Sequence, residues 1–325
     1  MLEVVTKEAN AAIAARAFPG CVIGVVRSNG EREIKVFGKL TYESNGEDVT
    51  KDTVYDLASV TKSIPVASIA LTMIAEGKLQ LLDPVKKYIP ELENNHGATI
   101  EDLLRYRVQG PRMSELAARF STFEQIRTHI FETGFNAPPR ESIYTNLPAF
   151  ILGMVLERVG GAMLPTLAHQ YFFGPLEMNH TTFFPSVSDC APTEIVDGEE
   201  IRGIPHDESA RVFARARRAV GHAGLFSTAG DLLNFLEALL KGKLPTVANG
   251  AQKGLGWQLS DPRFMSEKCG PHTFGKTGFT GTSVVCDIDR GIAFVILSNR
   301  TYPTRPLDDS AMYAFRAAVA ESFLS

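Results

Sequence analysis

Apolar runs rich in strand-forming residues lie near both ends of the chain, a pattern typical of β-strands. Residues 21–26 and 32–37 form two such runs, separated by the hairpin turn signal Ser28-Asn29-Gly30. Near the other end, residues 272–279, 282–288 and 291–298 repeat the pattern, with glycines marking the turns. Short connections join antiparallel strands, so we predict an antiparallel sheet built from both chain ends.

Between these ends the apolar spacing is helical. An apolar helix is predicted over 59–77, and a weaker one over 1–17. Further helical patterns cover residues 100–104, 123–132, 149–159, 164–172 and 228–240, and a last helix follows Asp308 or Asp309 with Met312, Phe315, Val319 and Phe323 on one face.

These patterns predict an α+β fold, in which helices flank the antiparallel sheet and a mostly helical region is inserted. We place the sheet domain at residues 1–82 and 206–325 and the helical domain at 83–205. A doubly wound parallel sheet would need strands throughout the centre, where the pattern is helical. A cleft is expected where the two parts meet.

Composition narrows the function classes. The 325 residues are 44% hydrophobic and 22% charged, as in an average soluble globular protein. The net charge of −4 argues against an electrostatic nucleic-acid binder. The charged N-terminus and the short apolar run 64–75 lead us to expect a cytoplasmic protein without a membrane partner. The four cysteines show no C-x-x-C spacing and are expected to be unpaired, with Cys21 and Cys286 in the core.

Ser59-x-x-Lys62 is the first candidate for chemistry. On a helix, residues i and i+3 share a face, so a lysine with a lowered pKa can take the proton of the serine hydroxyl. If Ser59 begins the helix, it also lies beside the positive end of the helix dipole. A surface polar pair is the alternative, because this spacing occurs often by chance. Pro65 falls within the helix and is expected to bend it.

Two further short motifs are individually weak. Tyr144 could transfer a proton, and Asn146 could orient an amide, although a loop tyrosine and a helix-capping asparagine are the simpler interpretation. Lys276 and Thr277 would present a cation and a hydroxyl at a strand edge, and Gly278 would let a substrate approach closely. A solvated strand lysine beside a turn glycine is the alternative.

Two competing sites are disfavoured. Residues 270–277 match the G-x-x-x-x-G-K-T phosphate-loop pattern, but a strand pattern follows where that loop needs a helix. His206 and His222 have no partners at metal-ligand spacing, so no metal site is predicted.

The order of the three motifs resembles that of the serine β-lactamase and penicillin-binding-protein superfamily. Their flanks are similar to its class C-like branch, which includes β-lactamase-like carboxylesterases and D-aminopeptidase or D,D-peptidase homologues. The resemblance extends from about residue 19 to residue 324. The flanking sequences are Tyr55-Asp-Leu-Ala-Ser-Val-Thr-Lys-Ser, Tyr144-Thr-Asn-Leu-Pro-Ala-Phe-Ile-Leu-Gly, Gly174-Pro-Leu-Glu-Met, His222-Ala-Gly-Leu-Phe-Ser-Thr-Ala-Gly-Asp-Leu and Lys276-Thr-Gly-Phe-Thr-Gly-Thr.

The resemblance implies a role for each motif residue. Ser59 would be the nucleophile that forms an acyl-enzyme, and Lys62 and Tyr144 would be the coupled general base and acid. Substrate would be bound by Asn146, Lys276, Thr277 and Gly278. The backbone N–H groups of Ser59 and Phe279 would form the oxyanion hole. No metal or organic cofactor is implied.

Two departures from the family pattern stand out. Where relatives often have His-Thr-Ser-Gly, this chain has Leu104-Arg-Tyr-Arg-Val-Gln-Gly, which changes the expected lining of the substrate site. Many esterase relatives replace the last lysine by histidine or tryptophan, whereas Lys276 suits a carboxylate-bearing substrate.

We therefore expect a serine hydrolase that acts on small esters or amides, with weaker activity on β-lactams. A D-amino-acid-specific peptidase or muropeptide-type amidase is the alternative within the family, and a non-catalytic sensor or scaffold is the alternative of another class. The sequence leaves the substrate and the oligomeric state open. Residues 107–121 and 186–202 are long enough to shape a pocket.

Overall fold

The strands of this protein come mainly from its two ends. The computed structural model describes residues 2–245 and 254–325; Met1 and residues 246–253, which fall in the predicted sheet domain, lie outside them. The strands are β1 (Gly20–Arg27), β2 (Arg32–Gly38), β3 (Tyr55–Asp56), β4 (Glu194–Val196), β5 (Glu199–Ile201), β6 (Phe226–Ser227), β7 (Gln258–Leu259), β8 (Thr273–Thr277), β9 (Ser283–Asp287) and β10 (Ile292–Ser298).

The main sheet has six strands in the order β2-β1-β10-β9-β8-β7, and neighbouring strands are antiparallel. Its centre joins the two ends of the chain, because Cys21 of β1 pairs with Ser298 of β10 and Ile23 pairs with Ile296. The predicted α+β architecture is confirmed.

Helices fill the middle of the chain, and a helix near each end packs on the sheet. They are α1 (Leu2–Ala14), α2 (Ser68–Ala75), α3 (Val85–Tyr88), α4 (Ile100–Leu104), α5 (Met113–Arg119), α6 (Phe123–Thr133), α7 (Leu147–Gly160), α8 (Leu164–Ala168), α9 (Glu208–Arg215), α10 (Ala229–Leu240), α11 (Pro262–Met265) and α12 (Ser310–Leu324). Single turns of 3-10 helix lie at Ala58–Lys62 and Val187–Asp189, and π-helical turns lie at Ser63–Ala67 and His169–Phe173.

Both faces of the sheet are buried. Alternate residues of β10 point to opposite faces: Phe294 packs with α1 and α12, whereas Val295 packs with α10 and the central helices. Burial on both faces explains why β10 is apolar throughout. Cys21 and Cys286 are fully buried free thiols, as expected. The hydrophobic cluster behind α10 continues without interruption into the central helices, so the two-domain division stays a prediction.

The predicted helix 59–77 differs from the structure at its start. It begins as the 3-10 turn Ala58–Lys62, passes through a kink at Ile64 (φ −114°, ψ 109°) and becomes regular only at α2. Pro65 causes the break, because it lacks an N–H and disfavours helical geometry in the residue before it. The bend was predicted correctly. Ser59 is the second residue of its turn and does not begin a regular helix, so the condition for the helix-dipole argument is not met.

Two features of the middle of the chain were not predicted. Residues 186–202, for which no secondary structure was predicted, contain the hairpin of β4 and β5, and β3 pairs with the distant β6. The stretch Ala58–Ala75 is long and apolar enough to cross a membrane by composition alone, but 78% of it is buried inside the fold, as in a core helix.

Candidate active site

Ser59 lies just after a strained turn. The preceding Ala58 has a φ of 47°, a left-handed conformation that costs about 1–2 kcal/mol for a residue with a side chain. The buried carboxylate of Asp56 stabilises this turn, since it accepts hydrogen bonds from the N–H of Ala58 at 2.8 Å and of His206 at 2.7 Å. Burial raises the pKa of Asp56, and these two hydrogen bonds partly offset the rise. The turn leaves Ser59 half-buried at the edge of a cavity.

Lys62 points back to Ser59 as the i, i+3 spacing predicted. Its ammonium nitrogen lies 2.8 Å from the Ser59 hydroxyl oxygen and donates to the carbonyl oxygen of His222 at 2.7 Å. The lysine is only 1% exposed. Its ammonium group is therefore held against the serine hydroxyl from a fixed position.

Tyr144 lies between two lysines. The Nζ atom of Lys276 is 4.4 Å from the centroid of the Tyr144 ring, and that of Lys62 is 5.2 Å away. Desolvation in the site raises the pKa of Tyr144, but the two ammonium groups and hydrogen bonds to Ser59 and Lys62 outweigh it and lower this pKa to about 8. Half of the side chain stays exposed, toward a site that a substrate can reach.

Lys276 is buried in β8, not a solvated strand lysine. Burial lowers its pKa, and the neighbouring Tyr144 partly offsets this. Its ammonium group also lies 5.2 Å from the ring centroid of Tyr106, which packs on Tyr144 at 5.1 Å. We did not identify Tyr106 from the sequence. The departure from His-Thr-Ser-Gly at residues 104–110 was the signal that marked its position.

The side chain of Asn146 is hydrogen-bonded to a residue outside the cavity lining. It precedes α7, and among the described residues it is not one that lines the cavity. Its amide nitrogen donates to Asp207 at 3.0 Å. Asp207 also lies 3.3 Å from Nε2 of His222, whose carbonyl group holds Lys62. Burial of Asp207 raises the pKa of its carboxyl group. The neighbouring His222 and hydrogen bonds from His222, Ser209 and the Ala210 N–H outweigh this and hold the pKa well below its usual range.

His206 and His222 thus have structural partners. Nε2 of His206 lies 3.4 Å from Glu194, and His222 is fully buried beside Asp207 and Ser209. Across residues 2–245 and 254–325, no three His, Cys, Asp or Glu side chains are grouped so that they could hold a metal ion.

Thr277 ends β8 at the cavity, and Gly278 follows it directly. Gly278 packs so closely against the backbone before Ser59 that a Cβ atom there would lie 2.4 Å from the carbonyl oxygen of Leu57. Residues 278–282 form a tight turn into β9, with the N–H of Gly278 donating to the Thr282 carbonyl at 2.8 Å. Because a turn and a strand follow Lys276, the phosphate-loop interpretation is wrong.

A cavity of about 920 Å³ opens beside Ser59, between the edge of the sheet and the central region. Tyr144, Lys276, Thr277, Gly278 and Phe279 line it. Its lining carries two carboxylates, Glu141 and Asp309, and seven cationic side chains: Lys276 and Arg105, Arg107, Arg140, Arg263, Arg300 and Arg316. Ion pairs with Glu101, Asp102 and Asp261 neutralise Arg105, Arg107 and Arg263. The other lining cations, Lys276, Arg140, Arg300 and Arg316, still outnumber the lining carboxylates.

A serine beside a buried lysine, a tyrosine between two cations and an antiparallel sheet covered by helices define a β-lactamase-fold serine hydrolase. The chain belongs to the Beta-lactamase family, whose model matches residues 5–319.

Several known proteins share this fold. The chain is 30% identical to a putative D-alanyl-D-alanine carboxypeptidase of Escherichia coli (strain K12), over 80% of this chain and 71% of that protein. Among solved structures it is similar to EstCE1, a hydrolase with promiscuous acyltransferase activity, with a TM-score of 0.79, 23% identity and coverage of 98% and 97% of the two chains. It is also similar to the D-alanine carboxypeptidase AmpC from Burkholderia cenocepacia, with a TM-score of 0.73, 21% identity and 98% coverage of both chains.

Proposed function

We propose that this protein is a serine hydrolase that forms an acyl-enzyme on Ser59 and hydrolyses small esters or amides. The observation that carries this proposal is the 2.8 Å contact between the Lys62 ammonium group and the Ser59 hydroxyl, with Tyr144 beside both. A serine hydroxyl needs a base before it can attack a carbonyl group. The three side chains supply the nucleophile and the groups that exchange its proton.

The proposed reaction has two halves. The Ser59 oxygen attacks the substrate carbonyl carbon, and its proton passes to the coupled Lys62 and Tyr144 groups. The resulting oxyanion accepts hydrogen bonds from the N–H groups of Ser59 and Phe279. When the bond to the leaving group breaks, the same pair returns the proton to the leaving group. Water then attacks the acyl-enzyme, releases the acid and restores the serine hydroxyl.

We further propose that preferred substrates carry a carboxylate in the leaving group. Lys276 and Arg300 line the cavity, where their positive charges favour an anion. The name of the Escherichia coli relative, a putative D-alanyl-D-alanine carboxypeptidase, agrees with such a leaving group. This favours a peptidase activity of the D-amino-acid type, with neutral esters as poorer substrates. The reaction needs only water as a co-substrate, and a cytoplasmic location remains part of the proposal.

The test follows the fate of the acyl group. The protein is incubated with a fluorescent penicillin and examined by intact-protein mass spectrometry, and hydrolysis of p-nitrophenyl butyrate is followed by absorbance. A lasting penicilloyl adduct indicates a peptidase-like site, whereas rapid ester turnover without an adduct indicates an esterase. Ser59→Ala should abolish both signals, and Ser142→Ala, which also changes a serine in the cavity wall, should retain them. Neither adduct nor turnover in the wild type would favour the non-catalytic sensor.

The substrate class needs a second comparison. An acyl-D-alanyl-D-alanine peptide is compared with its C-terminal carboxamide, in which a neutral amide of similar size replaces the charged carboxylate of the leaving group. We expect kcat/KM to be at least about tenfold higher for the free carboxylate and this preference to shrink with added salt. Equal rates for the two peptides would contradict the carboxylate requirement while leaving the serine mechanism in place.

A further inference from the structure

Arg316 is a buried cation with an unusual set of partners. It lies on α12 and is only 3% exposed. One of its terminal nitrogens, Nη2, donates to the backbone carbonyls of Gly278 at 2.9 Å and Thr282 at 2.7 Å. Its Nε atom has no hydrogen-bond partner among the described residues. Its guanidinium carbon also lies 5.3 Å from the centroid of the Tyr313 ring. Burying a guanidinium group without an ion pair among the described residues is costly, so the packing of the fold holds Arg316 at the base of this turn.

The same turn is held at further points. Arg300 donates from Nε to the carbonyl oxygen of Phe279 at 2.8 Å. The hydroxyl of Thr280 donates to the carbonyl of Asp56 at 2.7 Å, and that of Thr282 donates to the carbonyl of Leu57 at 3.0 Å. Residues 278–282 are thereby fixed to the backbone that leads into Ser59.

The bond to Gly278 also sets the direction of a neighbouring N–H group. In a planar trans peptide, the carbonyl of one residue and the N–H of the next point in opposite directions. Since Arg316 holds the carbonyl of Gly278 on the side of α12, the N–H of Phe279 points away from α12. That N–H is one of the two donors assigned to the oxyanion hole.

We propose that Arg316 is a positioning residue for the oxyanion hole, which orients the Gly278–Phe279 peptide so that its N–H meets the negative charge formed in the transition state. This inference rests on the proposed acyl-enzyme mechanism and deepens it. Arg316 acts through the backbone, and its contribution grows as the carbonyl oxygen becomes charged. A direct contact between Arg316 and a substrate carboxylate would instead strengthen binding of the ground state.

The test separates these two roles by replacing the substrate oxygen. A neutral p-nitrophenyl ester is compared with its thionoester, in which sulfur replaces the carbonyl oxygen and accepts hydrogen bonds poorly. For Arg316→Ala we expect kcat on the oxygen ester to fall on the order of 10²-fold with little change in KM, because loss of one oxyanion donor has this effect. The preference of the enzyme for oxygen over sulfur should shrink in the same variant. Arg316→Lys, which keeps the charge but lacks the planar fork, should give an intermediate loss and remains informative if the alanine variant does not fold.

Binding of an arylboronic acid supplies an independent readout. Ser59 adds to the boron atom, and the tetrahedral adduct carries an oxygen at the oxyanion position. We expect its affinity to fall in parallel with kcat in the Arg316 variants. Arg158→Ala is the matched control, because Arg158 is also a helix arginine that donates to a backbone carbonyl, that of Tyr88 at 2.8 Å, away from the cavity.

The outcomes are distinguishable. If the Arg316 variants raise KM or lose selectivity for carboxylate substrates while the oxygen-to-sulfur preference and boronate affinity stay unchanged, the positioning role is overturned. If Ser59→Ala hydrolyses the ester as fast as the wild type, the proposed function fails first, whatever Arg316 does.

Discussion

The ammonium group of Lys276 lies 4.4 Å from the ring centroid of Tyr144, although the two residues are 132 positions apart in the sequence. The ammonium group of Lys62, which belongs to the Ser59-x-x-Lys62 motif, lies 5.2 Å from the same ring centroid. Two buried cations next to one phenol favour its ionised form and therefore its use as a base near neutral pH.

This arrangement predicts the pH dependence. Because the pKa of Tyr144 is lowered to about 8, kcat/KM for a neutral ester should rise with pH and level off above an apparent pKa near this value. Replacing Lys276 by methionine removes a positive charge that favours the phenolate, so the profile should move to higher pH. Stopped-flow measurements of ester hydrolysis across the pH range test this, with the exposed Lys268→Met as a control for net charge. A profile that Lys276→Met leaves in place would contradict the role of the lysine.

The aromatic ring of Tyr106, and not its hydroxyl group, should support catalysis. It packs on Tyr144 with a centroid distance of 5.1 Å and an interplanar angle of 54°, and it also faces the Lys276 ammonium group. An aromatic pair and a cation–π contact each contribute about 1 kcal/mol, so Tyr106→Leu should lower kcat/KM about 30-fold. Tyr106→Phe keeps the ring and should stay within about threefold of the wild type. Equal losses in the two variants would show that the hydroxyl, not the ring, is the part that matters.

Asp207 should act on catalysis through Asn146. Its carboxylate accepts the Asn146 amide at 3.0 Å and the N–H of Ala210 at 2.9 Å, so it also caps α9. If positioning of Asn146 is its catalytic role, Asp207→Ala should lower kcat/KM in the wild type and have little further effect in an Asn146→Ala background. A double-mutant cycle should give a coupling energy of about 1–3 kcal/mol.

A capping control separates this role from simple destabilisation. Thr122 caps α6 in the central region, and Thr122→Ala should cost about 1 kcal/mol of stability without changing kcat/KM. Additive losses in the Asp207 and Asn146 variants would show that Asp207 acts independently of Asn146.

Gly278 should tolerate no side chain. A Cβ atom at this position would lie 2.2 Å from the Thr282 hydroxyl oxygen and 2.4 Å from the Leu57 carbonyl oxygen. Gly278→Ala should therefore destabilise the fold by about 1–3 kcal/mol and displace the turn that carries Phe279, with loss of ester hydrolysis. Urea unfolding and steady-state kinetics measure the two effects.

Gly230 provides the matched comparison, because the nearest atom to its added Cβ, the Thr228 hydroxyl oxygen, is 3.9 Å away within α10. Gly230→Ala should be neutral or stabilising by up to about 1 kcal/mol. Wild-type stability and activity in Gly278→Ala would contradict the close packing of the turn.

Much of the fold could be predicted from local patterns. The apolar runs at both ends gave the main strands, because a strand buried on both faces leaves a continuous apolar signal, as β10 does. The spacing of Ser59 and Lys62 placed them together, since i and i+3 share a face even in the 3-10 turn that the chain adopts. The short strands β3 to β7 escaped prediction because two or three residues carry too little periodicity.

The electrostatics of the site required the tertiary structure. The motif residues, including Ser59 as the proposed nucleophile, were named from the sequence, together with their resemblance to a known superfamily. The lowered pKa of Tyr144 depends on the distance of two lysines that reach it from residues 62 and 276. Tyr106, Asp207 and Arg316 had no motif of their own, and each meets the site through contacts with residues far away in the sequence.

There is a physical reason why some features follow from the sequence alone and others only from the tertiary structure. Strand and helix patterns and the serine–lysine spacing depend on a few neighbouring residues, so the sequence alone determined them. The hydrogen bond to the Gly278 carbonyl comes from a guanidinium group on the distant helix α12, and Lys62 donates to the carbonyl of His222. Such distances are set only when the whole core packs, and for this reason the tertiary structure decided them.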